Sequence, residues 1–167
     1  LLAKEDYIQA KITLYDALQI DQNLNIIYKY LMQIFVELQQ FDEGIIFADD
    51  LIKSNNSRPQ LYHLLAQMYI GKNEIQQAIQ TYKTGSNKNP NSYQNLLGLA
   101  HTYQLNGDYN QAISQYNRVA RIFPEIWKSK ELFVLSSIYV EQGRYKDVIE
   151  LLTTGLSYLK ESDLNTQ

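Results

Sequence analysis

The chain has 167 residues, 45% hydrophobic and 20% charged, with 15 Lys and Arg against 18 Asp and Glu for a net charge of −3. That apolar content excludes a disordered chain, and the acidic balance argues against a surface built to neutralise nucleic-acid phosphates. The absence of cysteine excludes disulfides, thiolate nucleophiles and Cys-based zinc or iron–sulfur sites.

Apolar helical stretches are punctuated by five short segments at nearly constant spacing. Glu5-Asp6-Tyr7, Gln39-Gln40-Phe41, Asn73-Glu74-Ile75 and Gly107-Asp108-Tyr109 follow one another at 34 residues, and Gly143-Arg144-Tyr145 comes 36 after the last. Such a period holds one helix of about fourteen residues, a tight turn and a second helix. In chain order this gives a partial unit over 1–24 and full units over 25–58, 59–92 and 93–126. A fourth full unit covers 127–162, its 34-residue frame starting at Ser129, and 163–167 begin a further unit or a tail. The expectation is a single domain of roughly nine helices with stability coming from contacts between adjacent units.

Numbered within each unit, the columns have physical meaning. Position 11 reads Leu1, Phe35, Tyr69, Tyr103 and Tyr139; position 17 reads Tyr7, Phe41, Ile75, Tyr109 and Tyr145. Position 8 reads Met32, Ala66, Ala100 and Ser136, and position 20 reads Ala10, Gly44, Ala78, Ala112 and Val148. Small residues let two helix backbones approach, and bulky ones fill the space beside them. Pro90 and Pro124 at position 32 end second helices, because proline disfavours helix in the residue before it. Pro59 opens its unit, where a helix tolerates proline best. The two-residue excess falls at Glu125-Ile126-Trp127-Lys128 and reads as a longer helix or a turn between units.

These columns resemble the tetratricopeptide repeat (TPR) family. The unit 93–126 carries Leu96, Leu99, Ala100, Tyr103, Gly107, Asp108, Tyr109, Ala112, Tyr116 and Pro124 on the family's signature positions, and 59–92 carries Tyr62, Leu65, Ala66, Tyr69, Ala78, Tyr82 and Pro90. Met32, Asn56, Val148 and Lys160 depart from the pattern in the outer units. The resemblance implies an all-α fold, a right-handed α-solenoid of helix-turn-helix repeats whose first helices line a concave groove.

Catalytic chemistry finds little support. There is no phosphate-binding glycine loop and no nucleophile elbow. His63 and His101, the two histidines, fall at positions 5 and 9 of adjacent units, on the groove side that the resemblance implies. Zinc needs at least a third protein ligand, and Gln67, Gln94 and Leu97 do not supply one. The expectation is therefore no enzyme, no metal and no cofactor.

Carried onto this sequence, the family's ligand-facing positions select Tyr30, Gln33, His63, Gln67, Gln94, His101, Gln104 and Phe133 as a partner-binding groove of amides and aromatics. The carboxylate clamp found in some family members is not matched: Lys29 fits, but Leu64 and Gly98 do not. The function expected is a protein–protein interaction scaffold or adaptor that holds a protein or peptide segment. Alternatives are a regulatory or recruiting segment of a larger enzyme, a bacterial assembly or secretion factor, and an RNA-binding helical repeat, the last opposed by the acidic balance. No nucleic acid and no membrane insertion are expected.

The longest apolar run of interest, Leu132 to Val140, is far short of the ~20 residues needed to span a bilayer. No signal peptide is recognisable. The compartment stays open, with the cytoplasm favoured. The chain opens at Leu1-Leu2 without a methionine, and the last helix presents Val148, Leu152, Leu156 and Leu159. The natural protein is therefore expected to continue at one or both ends, or to self-associate through uncapped ends.

Overall fold

The computed structural model describes residues 4–21, 25–54, 58–128 and 130–164. Among these residues there are nine α-helices, one short 3-10 helix and no strand. The helices are α1 (Lys4–Ile20), α2 (Asn25–Glu37), α3 (Phe41–Lys53), α4 (Pro59–Gly71), α5 (Ile75–Lys88), α6 (Tyr93–Leu105), α7 (Tyr109–Ile122), α8 (Glu131–Glu141) and α9 (Tyr145–Leu164), with the 3-10 helix at Pro124–Lys128 between α7 and α8. The chain is all-α, as its periodicity predicts.

Two compact units divide it, Leu1–Asn95 and Leu96–Gln167. In the first, α2 packs on α1, α3 and α4, and α4 packs on α3 and α5. Its core holds Leu18, Ile27, Leu31, Met32, Phe35, Ala48, Leu51, Leu61, Leu65 and Met68. In the second, α8 packs on α7 and α9, and the 3-10 helix touches all three. Leu99, Ala112, Ile113, Tyr116, Val119, Leu135, Ile138 and Leu151 are buried there.

Four tight turns share one backbone solution. In the first, the amide of Gln39 donates to the carbonyl of Val36 at 3.1 Å and that of Gln40 to Phe35 at 2.9 Å. The same pair of bonds recurs as Asn73 to Ile70 with Glu74 to Tyr69, Gly107 to Gln104 with Asp108 to Tyr103, and Gly143 to Val140 with Arg144 to Tyr139. This satisfies carbonyls that a helix end leaves open, and it requires a left-handed residue at the first turn position. That residue is Gln39, Asn73, Gly107 or Gly143, with φ of 57°, 62°, 78° and 68°. The position-11 aromatics Phe35, Tyr69, Tyr103 and Tyr139 thus supply the accepting carbonyl as well as side-chain bulk.

Proline marks the stop of two second helices, whereas α3 stops at Lys53 without one. α5 and α7 end at Lys88 and Ile122, each two residues before its proline. Where Lys160 replaces proline, α9 continues to Leu164. Pro59 occupies the first turn of α4, as expected. The two extra residues between the third and fourth units are absorbed by the 3-10 helix, in which Ile126 is buried. The side chain of Trp127 lies outside the described residues.

Close approach at the small columns is literal. A Cβ on Gly44 would lie 2.6 Å from Met68 Sδ and 2.9 Å from Phe35 Cβ. Gly85, which the repeat columns did not single out, is equally close: its Cβ would lie 2.7 Å from Tyr62 Cβ. Lys11 ties α1 to the next helix pair, 2.7 Å from Glu43 Oε2 and from Gln40 Oε1 and 4.8 Å above the Phe35 ring.

Candidate functional site

The sequence-selected residues fall on α2, α4, α6 and α8. Helical spacing puts Tyr30 with Gln33, His63 with Gln67, and His101 with Gln104 on shared faces three or four residues apart. Tyr30 and Gln33 are exposed and line a cleft of about 590 Å3 against α1, with Ala10, Thr13 and Leu14 opposite. Asp6 and Gln9 add polar groups to the same cleft, and Lys29 Nζ lies 5.7 Å from the Tyr30 ring centre.

His63 belongs to the first unit and His101 to the second, and each is half-buried on a tyrosine of its own unit. His63 Nδ1 lies 3.2 Å from the hydroxyl of Tyr82, with ring centres 5.9 Å apart. His101 stacks at a tilt on Tyr116, ring centres 5.6 Å apart. Both tyrosines sit at repeat position 24 and are almost fully buried. Burial holds both imidazoles below their ordinary pKa, an effect that nearby Glu131 partly opposes at His101. Burial also raises both phenols, so they stay protonated at neutral pH.

Gln104 is drawn into the same contact. Its Oε1 accepts a hydrogen bond from the Tyr116 hydroxyl at 3.2 Å. Gln67 is half-buried one turn beyond His63, and Gln94 is exposed at the start of α6, facing a cleft with Pro59, Lys88 and Pro90. Phe133 stands out on α8 with 75% of its surface exposed. On the last helix, Leu152 and Leu156 are exposed and Val148 is half-buried; the Leu159 side chain lies outside the described residues.

Sequence reasoning did not foresee that the position-24 tyrosines engage His63, His101 and Gln104. The signal was present as Tyr82 and Tyr116 on the repeat columns, one helix along from the residues they engage. It also passed over Arg58, which lies between helices and joins Lys29 at a pocket lined by Met32, Leu51, Leu61 and Leu64. Among the described residues no group of three His, Cys, Asp or Glu is placed to hold a metal ion, and no helix is long and apolar enough to cross a membrane.

The family model for the second ARM domain of tetratricopeptide repeat protein 21 matches residues 13–162. The chain belongs to that family. This ARM-type TPR chain is also similar to the anaphase-promoting complex subunit CDC16 of Saccharomyces cerevisiae, 22% identical over 84% of the chain and 18% of the relative. It is 24% identical to the anaphase-promoting complex subunit cut9 of Schizosaccharomyces pombe over 74% of the chain and 19% of that protein. The chain thus spans about a fifth of the length of these curated relatives. Among solved structures, that of MamA superposes with a TM-score of 0.77 over 96% of this chain and 92% of its own, at 16% identity. At that identity the likeness speaks for the helical-repeat fold alone.

Proposed function

We propose that this chain is a non-catalytic interaction module, a scaffold or adaptor that holds a segment of a partner protein along the first helices of its repeats. The repeats are taken as 25–58, 59–92, 93–126 and 127–162, flanked by 1–24 and 163–167. The observation that carries the reading is the exposure of Tyr30 and Phe133, large aromatics on first helices that the core does not use. Exposed aromatics of this kind are the residues that anchor protein interfaces. The curated relatives, both subunits of a multiprotein complex, support the same reading.

Gln33, Gln67 and Gln94 add donors and acceptors for an extended backbone. His63, His101 and Gln104 contribute less directly, because each is shared with its tyrosine. A second contact surface is α9, where Tyr145, Ile149, Leu152 and Leu156 are exposed at helical spacing and suit self-association. The test is a pull-down from the source organism with the wild type and with a Tyr30→Ala, His101→Ala, Phe133→Ala variant. Loss of one partner from a variant that still melts cooperatively supports the reading. Survival of every partner places binding on another surface.

A further inference from the structure

The first unit contains a pocket of about 290 Å3 bounded by the beginnings of α2 and α4 and the end of α3. Met32, Leu51 and Leu61 form a buried apolar floor, and half-buried Leu64 forms a wall. Lys29 and Arg58 stand exposed among the lining residues, which include no carboxylate. That is notable in a chain where acids outnumber bases. Lys11, Lys53, Lys72 and Arg144 each reach a carboxylate, whereas neither Lys29 nor Arg58 has an ion-pair partner among the described residues.

An apolar floor beside two uncompensated cations has a definite complement. The volume lies at the small end of ligand sites and suits a protruding side chain better than a cofactor. The cations suit a carboxylate carried next to that side chain. We propose that this pocket seats a bulky apolar side chain from an internal segment of a partner protein while Lys29 and Arg58 hold an adjacent aspartate or glutamate. The proposal rests on the interaction-module reading but uses neither Tyr30, His101 nor Phe133. It also differs from a clamp on a chain terminus, since its second cation precedes α4 instead of coming from a later groove helix.

The experiment is selection from a phage-displayed random peptide library fused through its C-terminus, so that no peptide offers a free terminal carboxylate. Selection is run on the wild type, on Lys29→Glu with Arg58→Glu, and on the neutral pair Lys29→Gln with Arg58→Gln. Both positions are exposed, so circular dichroism melts should match the wild type, and the neutral pair serves if charge reversal perturbs folding. Enriched peptides should carry an acidic residue beside Leu, Ile or Phe. One of them, synthesised as a labelled amide, should bind either double variant about tenfold more weakly or worse, and so should its amide-for-acid counterpart on the wild type. Its affinity should fall as salt is raised. Leu64→Trp, which fills the pocket and keeps both cations, should weaken binding similarly. No enrichment, enrichment of peptides without acids, or undiminished binding to the double variants overturns the proposal. Peptides that ignore the double variants but are lost from Tyr30→Ala with Phe133→Ala overturn it while leaving the groove reading in place.

Discussion

The hydroxyl of Tyr82 lies 3.2 Å from Nδ1 of His63, so a buried phenol from α5 meets a half-buried imidazole on α4. With the phenol protonated and the imidazole neutral in its Nε2–H tautomer, the O–H donates to the ring nitrogen. Protonating His63 removes that acceptor and places a charge in a half-buried site. His101 on Tyr116 is the parallel case, a ring contact with centres 5.6 Å apart.

A pH dependence of stability follows from these two histidines. Each has a folded-state pKa below its unfolded value of about 6.5. The unfolded chain therefore binds more protons in the window below that value, and stability falls as pH drops through it. The melting temperature should decrease from pH 7 toward the folded-state pKa values, and His63→Gln with His101→Gln should flatten that decline. Thermal melts of both proteins across the window check it; an equally steep decline in the variant assigns the effect to other groups.

The left-handed turn residues make a second test. Gln39 and Asn73 hold the φ that Gly107 and Gly143 hold without a Cβ cost. Gln39→Gly should stabilise the fold by about 1 kcal/mol or slightly less, and Gly143→Ala should cost about 1 kcal/mol. A Cβ on Gly107 or Gly143 meets nothing within 4 Å, so the penalty is conformational and not a clash. Urea denaturation with an unchanged slope checks both signs.

Glycines inside helices should behave in the opposite way from propensity. Gly→Ala in an exposed helix gains about 1 kcal/mol. At Gly85 the new Cβ meets Tyr62 Cβ, which cannot move without moving α4. Gly85→Ala should therefore destabilise by about 1–3 kcal/mol despite that gain. At Gly44 the two nearest atoms belong to the Met68 thioether, which is adaptable, and the fixed neighbour Phe35 Cβ is farther away at 2.9 Å, so Gly44→Ala should cost somewhat less. Denaturation midpoints for the two variants check the order.

The helical pairs were legible because turn, core and stop signals recur in register. The spacing of Gln39, Asn73, Gly107 and Gly143 locates the turns, and Pro90 and Pro124 mark where second helices cannot continue. The candidate site residues were legible only as faces. Spacing along α6 puts His101 and Gln104 on one side, but it does not show that Tyr116 from α7 engages both, because a long side chain chooses its partner through tertiary packing. Arg58 escaped for a related reason: it belongs to no helix column, and only the folded chain brings it to the Lys29 pocket.

The remaining prediction separates surface function from packing at Phe133. Its ring is largely exposed on α8, so Phe133→Ser removes little buried area and should change stability by less than about 0.5 kcal/mol. If the ring anchors a partner, the same substitution should weaken binding by about tenfold or more, the range of an aromatic interface anchor. Tyr116→Phe provides the contrast. It removes a hydroxyl that donates to Gln104 from a nearly fully buried ring, so it should cost about 1 kcal/mol of stability. It should leave affinity nearly unchanged unless Gln104 is itself a contact. Melts and partner titrations of the two variants should therefore separate in opposite directions; equal losses of stability would mean that Phe133 is a packing residue and not an anchor.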